Sequence, residues 1–322
     1  MHEVILMGLV EELECTRVDE FIDTLRPRNP IWGKGTDNPW IYRGHGDASW
    51  ELKPSAWRKD GQKVLEPLFR VLSVTACSVA AKIELDPSKP SRETRERIVL
   101  QVLVEVAAVH SFAELADELG HPVPATSELL TVKEIERHPY LHYADGYEKK
   151  LANHAAALAQ HHGIPTRLLD WTRKSLVAAF FACYGAVHGD SSPAQSSPSL
   201  IAVWALNAEG ISGGSIVKTL TVPRSQSEFI HAQGGLFTWC AGHEFAENNK
   251  GRWPDMRDLL KRWTSQPLFK RITLPVGKAG EVLRYLWRER ISAAHLVPTY
   301  DNVTAAVKTK WQWDVAAQRS GR

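Results

Sequence analysis

The sequence predicts an α+β fold, a mixed sheet carrying a long helical insertion. Three observations point there. The longest stretches with helical spacing lie in the first half of the chain. The short apolar runs with strand character cluster in the second half. One early strand, at 40–43, has no neighbour nearby and must pair with strands far along the chain. The order of elements does not alternate strand and helix regularly, so a doubly wound parallel sheet is not expected.

The elements follow in order. Residues 1–10 are apolar but carry Glu3, and Glu11, Glu12 and Glu14 come next, with no basic stretch ahead; this is not the pattern of a signal peptide. Residues 18–25 have the spacing of a short amphipathic helix. The strand at 40–43 runs into Gly44 and Gly46. Residues 64–83 and 93–119 have helical spacing and composition, separated by a charged, Pro-containing break at 86–97, and 127–137 is a weaker helix. Residues 59–147 therefore read as a helical insertion within a single domain spanning 1–322.

Helical spacing resumes at 147–160, with Leu151, His154, Ala155 and Leu158 on one face, until Gly163 and Pro165 stop it. Residues 166–170 read as a buried strand. Residues 175–187 are apolar nearly all round, which predicts a core helix. A Ser- and Pro-rich loop at 189–199 leads to strands at 200–206, 216–222, 236–239 and 269–274, with helices at 255–263 and 279–290.

Composition narrows the function. With 43% apolar and 24% charged residues among 322, the chain is not a disordered polymer. Lys plus Arg number 39 against 37 for Asp plus Glu, which excludes a globally basic nucleic-acid coat and leaves room for a local basic patch. The four Cys sit at no zinc spacing and are too few for a disulfide framework, so a reducing, cytoplasmic setting is expected. No stretch is expected to reach transmembrane length, and no membrane partner is expected. The 12 Trp need deep packing or a flat ligand to cover them.

Three polar segments are candidates for chemistry. In the first, Arg43 ends a strand beside Gly44 and Gly46. Its fork of donors suits phosphate or carboxylate, and glycine lets a backbone approach a ligand; the alternative is an arginine paired with an internal Asp. The second runs from Gln160 through His161, His162, Thr166, Arg167 and Asp170 to Thr172, just ahead of the apolar helix. A buried helix start favours anions, and Arg167, Arg173 and Lys174 crowd it, so a phosphate or pyrophosphate is a candidate ligand. The alternative is that Asp170 and Thr172 only cap that helix. In the third, Glu228 is a candidate base and Gln233 a candidate reader of a ligand amide or hydroxyl, ahead of Gly234 and Gly235.

Two further patterns carry less. Residues 210–214 match the letters of the nucleophile elbow, but a strand rather than a helix is expected after them. The His residues at 154, 161, 162, 231 and 243 form no set of metal ligands at a known spacing, so no metal is expected.

These segments together resemble the FRG domain family, named for its Phe-Arg-Gly signature. The signature stands here as Tyr42-Arg43-Gly44, and the likeness continues through Trp50, Leu52, Pro54, Ser55 and Arg58. It is most specific from Gln160 to Thr172, and it extends through Gln233 to Thr238 and the tail from Ile291 to Asp301. Members in bacterial and phage settings imply toxin or phage-defence roles.

A looser similarity links the same segments to ADP-ribosyltransferases. Arg43 is similar to their early-strand Arg, and Asp170-Trp171-Thr172 with the Ala/Phe helix is similar to their second element. Gln233-Gly234-Gly235 is similar to the third, with Gly235 where those enzymes carry the catalytic Glu. The likeness implies an ADP-ribosyltransferase-like sheet and an NAD ligand. Arg43, Gly44, Arg167, Asp170 and Thr172 would hold NAD, His162 would orient the site, and Gln233 or Glu228 would act near the scissile bond, toward a macromolecular acceptor. The rival readings are a non-catalytic module for phosphate or nucleic acid, and a nucleotide hydrolase with His161 or His162 as general base.

Overall fold

The computed structural model describes residues 5–33, 37–83, 91–138, 153–188, 199–211, 216–222, 232–240, 252–261, 263–264 and 266–320. Among them, eight strands form one mixed sheet. In chain order these are β1 (Ile5–Met7), β2 (Val10–Glu14), β3 (Trp40–His45), β4 (Leu169–Thr172), β5 (Leu200–Asn207), β6 (Val217–Leu220), β7 (Gly235–Cys240) and β8 (Phe269–Pro275). Their spatial order is β1-β2-β8-β5-β3-β4-β7-β6, with β2 and β8 parallel and every other pair antiparallel. The early strand β3 does pair with distant ones, lying between β5 and β4.

The helices are α1 (Val18–Leu25), α2 (Lys59–Lys82), α3 (Arg92–Glu118), α4 (Val132–Arg137), α5 (His154–His161), α6 (Ser175–His188), α7 (Met256–Leu260), α8 (Ala279–Arg288), α9 (Ala293–Leu296) and α10 (Tyr300–Ser320). The fold class is α+β with a mixed sheet.

Period-two alternation along β5 places the core on both sides of the sheet. Ile201, Val203 and Ala205 face α1, α6 and α8, meeting Phe21, Val177, Ala178 and Leu283. Ala202, Trp204 and Leu206 face the other way, toward Trp57, Leu65, Met256 and Leu259. A strand covered on both faces needs no polar side, which is why this one reads as a continuous apolar run. The same burial explains why α6 is apolar all round.

α2 and α3 pack on each other through Ala76, Val79, Val99, Leu103 and Val106. They also reach the main core, to which Leu65, Ile98, Val104 and Ala108 belong. Each is long and apolar enough, by length and composition, to cross a membrane, which corrects the expectation that no stretch reaches that length.

Other differences have local causes. The strand expected at 166–170 begins later, at Leu169, because Thr166 instead bonds Ser55 and Gln160. The helix expected at 127–137 shortens to Val132–Arg137, where Thr131 and Glu134 form a capping box. α5 starts at His154 behind the cap of Asn153, whose side chain accepts from Ala156 N at 2.9 Å; residues 147–152 lie outside the described residues. β6 follows the nucleophile-elbow letters, of which 212–214 also lie outside the described residues.

Candidate functional site: the cleft between β3 and β4

β3 pairs with β5 over six residues, from Trp40↔Asn207 to His45↔Ala202. With β4 it pairs at one position, Tyr42↔Thr172. Beyond Tyr42 the two strands separate, and a pocket of about 350 Å³ opens in the gap. Arg43, Gly44, Gln160, His161, Asp170, Thr172 and Gln233 line it, with Trp171 and Phe181 as aromatic walls. Four segments distant in sequence thus meet at one cleft.

Arg43 spans the gap. Its Nη1 donates to the main-chain oxygen of Asp170 at 2.9 Å, standing in for a ladder bond that the separated strands do not make. The same nitrogen lies 3.4 Å from Asp170 Oδ2. Its Nε donates to His45 Nε2 at 3.1 Å. Alternation along β3 puts Arg43 and His45 on one face, which makes this contact available. Nη2 has no hydrogen-bond partner among the described residues and is free for a ligand oxygen. Burial lowers the pKa of the guanidinium, and the Asp170 charge opposes that shift.

Asp170 is more than half exposed into the cleft and is held from behind. Its Oδ1 accepts from Gln160 Nε2 at 2.7 Å, and Gln160 Oε1 accepts from the Thr166 hydroxyl. Thr166 N in turn donates to Ser55 Oγ at 3.1 Å. This chain of bonds fixes the carboxylate and, through it, the guanidinium.

Thr172 closes the other wall. Its hydroxyl donates to Gln233 O at 2.5 Å and accepts from Lys174 N at 3.0 Å. Lys174 Nζ reaches Ala232 O at 2.8 Å, and Arg173 N reaches Gly234 O at 3.0 Å. The turn before β7 is thereby pinned to the end of β4, with Gly234 at φ +63°, a conformation that favours glycine. Gln233 Nε2 also donates to Leu296 O at 3.3 Å.

His45 is buried, and its pKa is pushed well below the usual imidazole value. Burial is the main cause, followed by the positive charges of Arg43, Arg58 and Arg257, with the Trp50 backbone acting the other way. Arg43 always donates, so Nε2 must accept and the proton is assigned to Nδ1. A histidine kept neutral when folded is protonated more readily when unfolded. Stability is therefore full above the unfolded value of about 6.5 and falls as pH drops below it, by up to about 1.4 kcal/mol per pH unit. Urea titrations between pH 7 and pH 5 are expected to show that slope, and His45→Asn is expected to flatten it. An unchanged slope would assign the acid sensitivity elsewhere.

Several expectations need correction. Arg167 does not face the cleft. It is buried, and its Nε donates to Glu105 Oε2 at 2.6 Å, while the guanidinium lies 6.0 Å from the centre of the Trp253 ring. Glu105 Oε1 also accepts from Trp57 Nε1 at 2.9 Å and Gln101 Nε2 at 2.8 Å. This is an internal network that ties α3 to the segment before β4.

His162 faces away too. One residue along a helix turns the side chain by about 100°, so His161 lines the cleft while His162 stacks on Phe112, ring centres 6.1 Å apart. Gly44 lines the cleft and also lets α6 pack closely on β3: a Cβ there would lie 2.1 Å from Ala178 O. Asp170 does not cap α6; it bonds Arg43 and Gln160 instead. Glu228 lies outside the described residues. Among the described residues, no group of three His, Cys, Asp or Glu could hold a metal ion.

Gln160 and His45 gain structural weight that their letters alone did not give them. Strand alternation from Arg43 was the available signal for His45. The pairing of Gln160 with an Asp ten residues on had none.

Comparison with known proteins covers the residues that frame this cleft, Gln233 excepted. The FRG domain family model matches residues 38–191, a span that contains Arg43, Gln160, Asp170, Thr172 and α6. No curated protein and no solved structure matches the chain. The Tyr42-Arg43-Gly44 signature and the Gln160–Thr172 segment, far apart in sequence, form opposite sides of one pocket, and both lie within the 38–191 stretch of the chain that matches the FRG domain.

Proposed function

We propose that the cleft between β3 and β4 binds NAD and that the domain is an ADP-ribosyltransferase-like module. One observation carries the reading: Arg43, Asp170, Thr172 and Gln233 line a single pocket in which Arg43 Nη2 has no hydrogen-bond partner among the described residues. A free guanidinium nitrogen suits a phosphate or ribose oxygen. Phe181 and Trp171 supply flat walls for a ring, and Gln233 an amide at the far side. The pocket falls within the range of about 300–1,000 Å³ usual for small-molecule sites.

The residues divide the work. Arg43 holds an anionic or hydroxyl oxygen, and the chain from Thr166 through Gln160 keeps Asp170 in place. Asp170 is the carboxylate among the described lining residues, and its negative charge suits the positive charge that develops on a ribose when a glycosidic bond breaks. Modification of a macromolecular acceptor is the step by which a toxin or phage-defence role would follow.

A second reading is favoured by Gly235, where a catalytic Glu would stand, and by the pairing of Asp170 with Arg43: the cleft then binds the nucleotide without turnover.

Isothermal titration with NAD tests the proposal. Binding to the unmodified chain is expected, with Arg43→Ala weakening it by at least about tenfold, the loss of one charged hydrogen bond. Absence of heat with the unmodified chain would sink the cofactor assignment. Nicotinamide release in the same samples separates turnover from binding alone.

A further inference from the structure

A second hollow, of about 730 Å³, lies between α2, α3 and α5. Its walls are mainly apolar, among them Leu65, Leu68, Phe112, Leu115, Leu119 and Leu158, with Ser111, His121 and His162 as polar members. Leu115 and Leu119 are 57% and 65% exposed. Contiguous apolar surface left open in this way marks an interaction site, and the volume suits a small molecule.

The hollow has a polar end. Val64, Ile164 and Pro165 are shared with an adjoining space of about 310 Å³ that contains Arg58. Arg58 Nε is itself buried with no hydrogen-bond partner among the described residues, while the side chain as a whole is 35% exposed and so reachable by a ligand. Asp60 Oδ1 lies 3.6 Å away, near enough for ion pairing but not for that bond. A buried donor left without an acceptor is unfavourable and calls for a ligand oxygen. Two acids border the same space: Asp60, whose side chain is 72% exposed and free to turn to water, and Asp170, already held by Arg43 and Gln160.

We infer that this hollow binds a free single-chain amphiphile, with its aliphatic tail between α2, α3 and α5 and a carboxylate head accepting from Arg58. The tail hollow shares no lining residue with the NAD cleft, whereas the head end borders Gln160 and Asp170 of it; decanoate and NAD are titrated separately, so either reading can fail without the other.

Isothermal titration of the full chain with sodium decanoate, kept below micelle-forming concentration, tests it. Nonyltrimethylammonium, with the same nine-carbon tail and the opposite head charge, is the control. Decanoate is expected to bind at least about tenfold more tightly than the cation. The double variant Leu115→Ser with Leu119→Ser is expected to weaken decanoate by at least about tenfold, and Arg58→Gln to abolish the preference between heads. Both leucines are largely exposed, so the fold is not at stake, and circular dichroism checks this. No heat with decanoate, equal affinity for the two heads, or heats unaffected by the leucine pair would overturn the assignment. So would sedimentation with phosphatidylglycerol vesicles in the absence of decanoate binding, which would make the surface a membrane contact.

Discussion

Glu105→Gln is expected to destabilise the protein by about 3–5 kcal/mol, because it removes the negative partner of a buried arginine. Glu105 and Arg167 are both almost fully buried, 2.6 Å apart. Arg167 Nη2 has no hydrogen-bond partner among the described residues, so apart from the Trp253 ring the guanidinium has little to replace the carboxylate. The amide oxygen of the substituted side chain can still accept from Trp57 and Gln101, so the loss falls on the Arg167 side, where the charge and the accepting oxygen go together. The partner change should therefore rescue: Arg167→Met added to Glu105→Gln is expected to recover most of the stability. Urea denaturation of the two single variants and the double variant measures this. Additive losses would mean that the pair is not coupled.

The second large effect is expected at Gly44. A Cβ there would sit 2.1 Å from Ala178 O and 2.5 Å from Ala182 N, both backbone atoms of α6 that no rotamer change can move. Gly44→Ala must therefore push α6 off β3, at a cost of about 3 kcal/mol, the upper end of usual overpacking penalties. The same displacement would shift Arg43 and widen the cleft. Gly280→Ala is the control. It lies within α8 with nothing within 4 Å of its added Cβ, and is expected to stabilise by about 0.5–1 kcal/mol. If both variants unfold at the same urea concentration, close packing is not what Gly44 provides.

Much of the fold was legible because burial leaves periodic marks. α1 was readable to the residue, since its apolar positions recur at helical spacing. β5 and α6 announced themselves as runs with no polar side. The N-terminal strand β2 was hidden by its own acids. Glu11 and Glu12 look like surface charge, yet in the sheet they pair with Lys270 and Arg271 of β8, Glu12 lying 2.6 Å from Arg271. α10 was missed because it packs through few side chains, notably Trp313 against Trp287, while Tyr300, Val303 and Trp311 remain exposed.

The site divides in the same way. That Arg43, Thr172 and Gln233 share a cleft follows from motifs whose residue types suit one ligand. Arg167 was misplaced because its partner, Glu105, lies 62 residues away in a helix with no local sign of the pairing. His161 and His162 are adjacent in sequence and are separated only by where the helix face turns.

Hydrogen–deuterium exchange with and without NAD tests the central claim most directly. Slower exchange is expected in peptides covering 40–46, 169–174 and 233–236, the backbone that encloses the cleft, with 64–68 and 111–123 unchanged. Bound NAD with no protection in the first group, or protection confined to the second, would contradict the account.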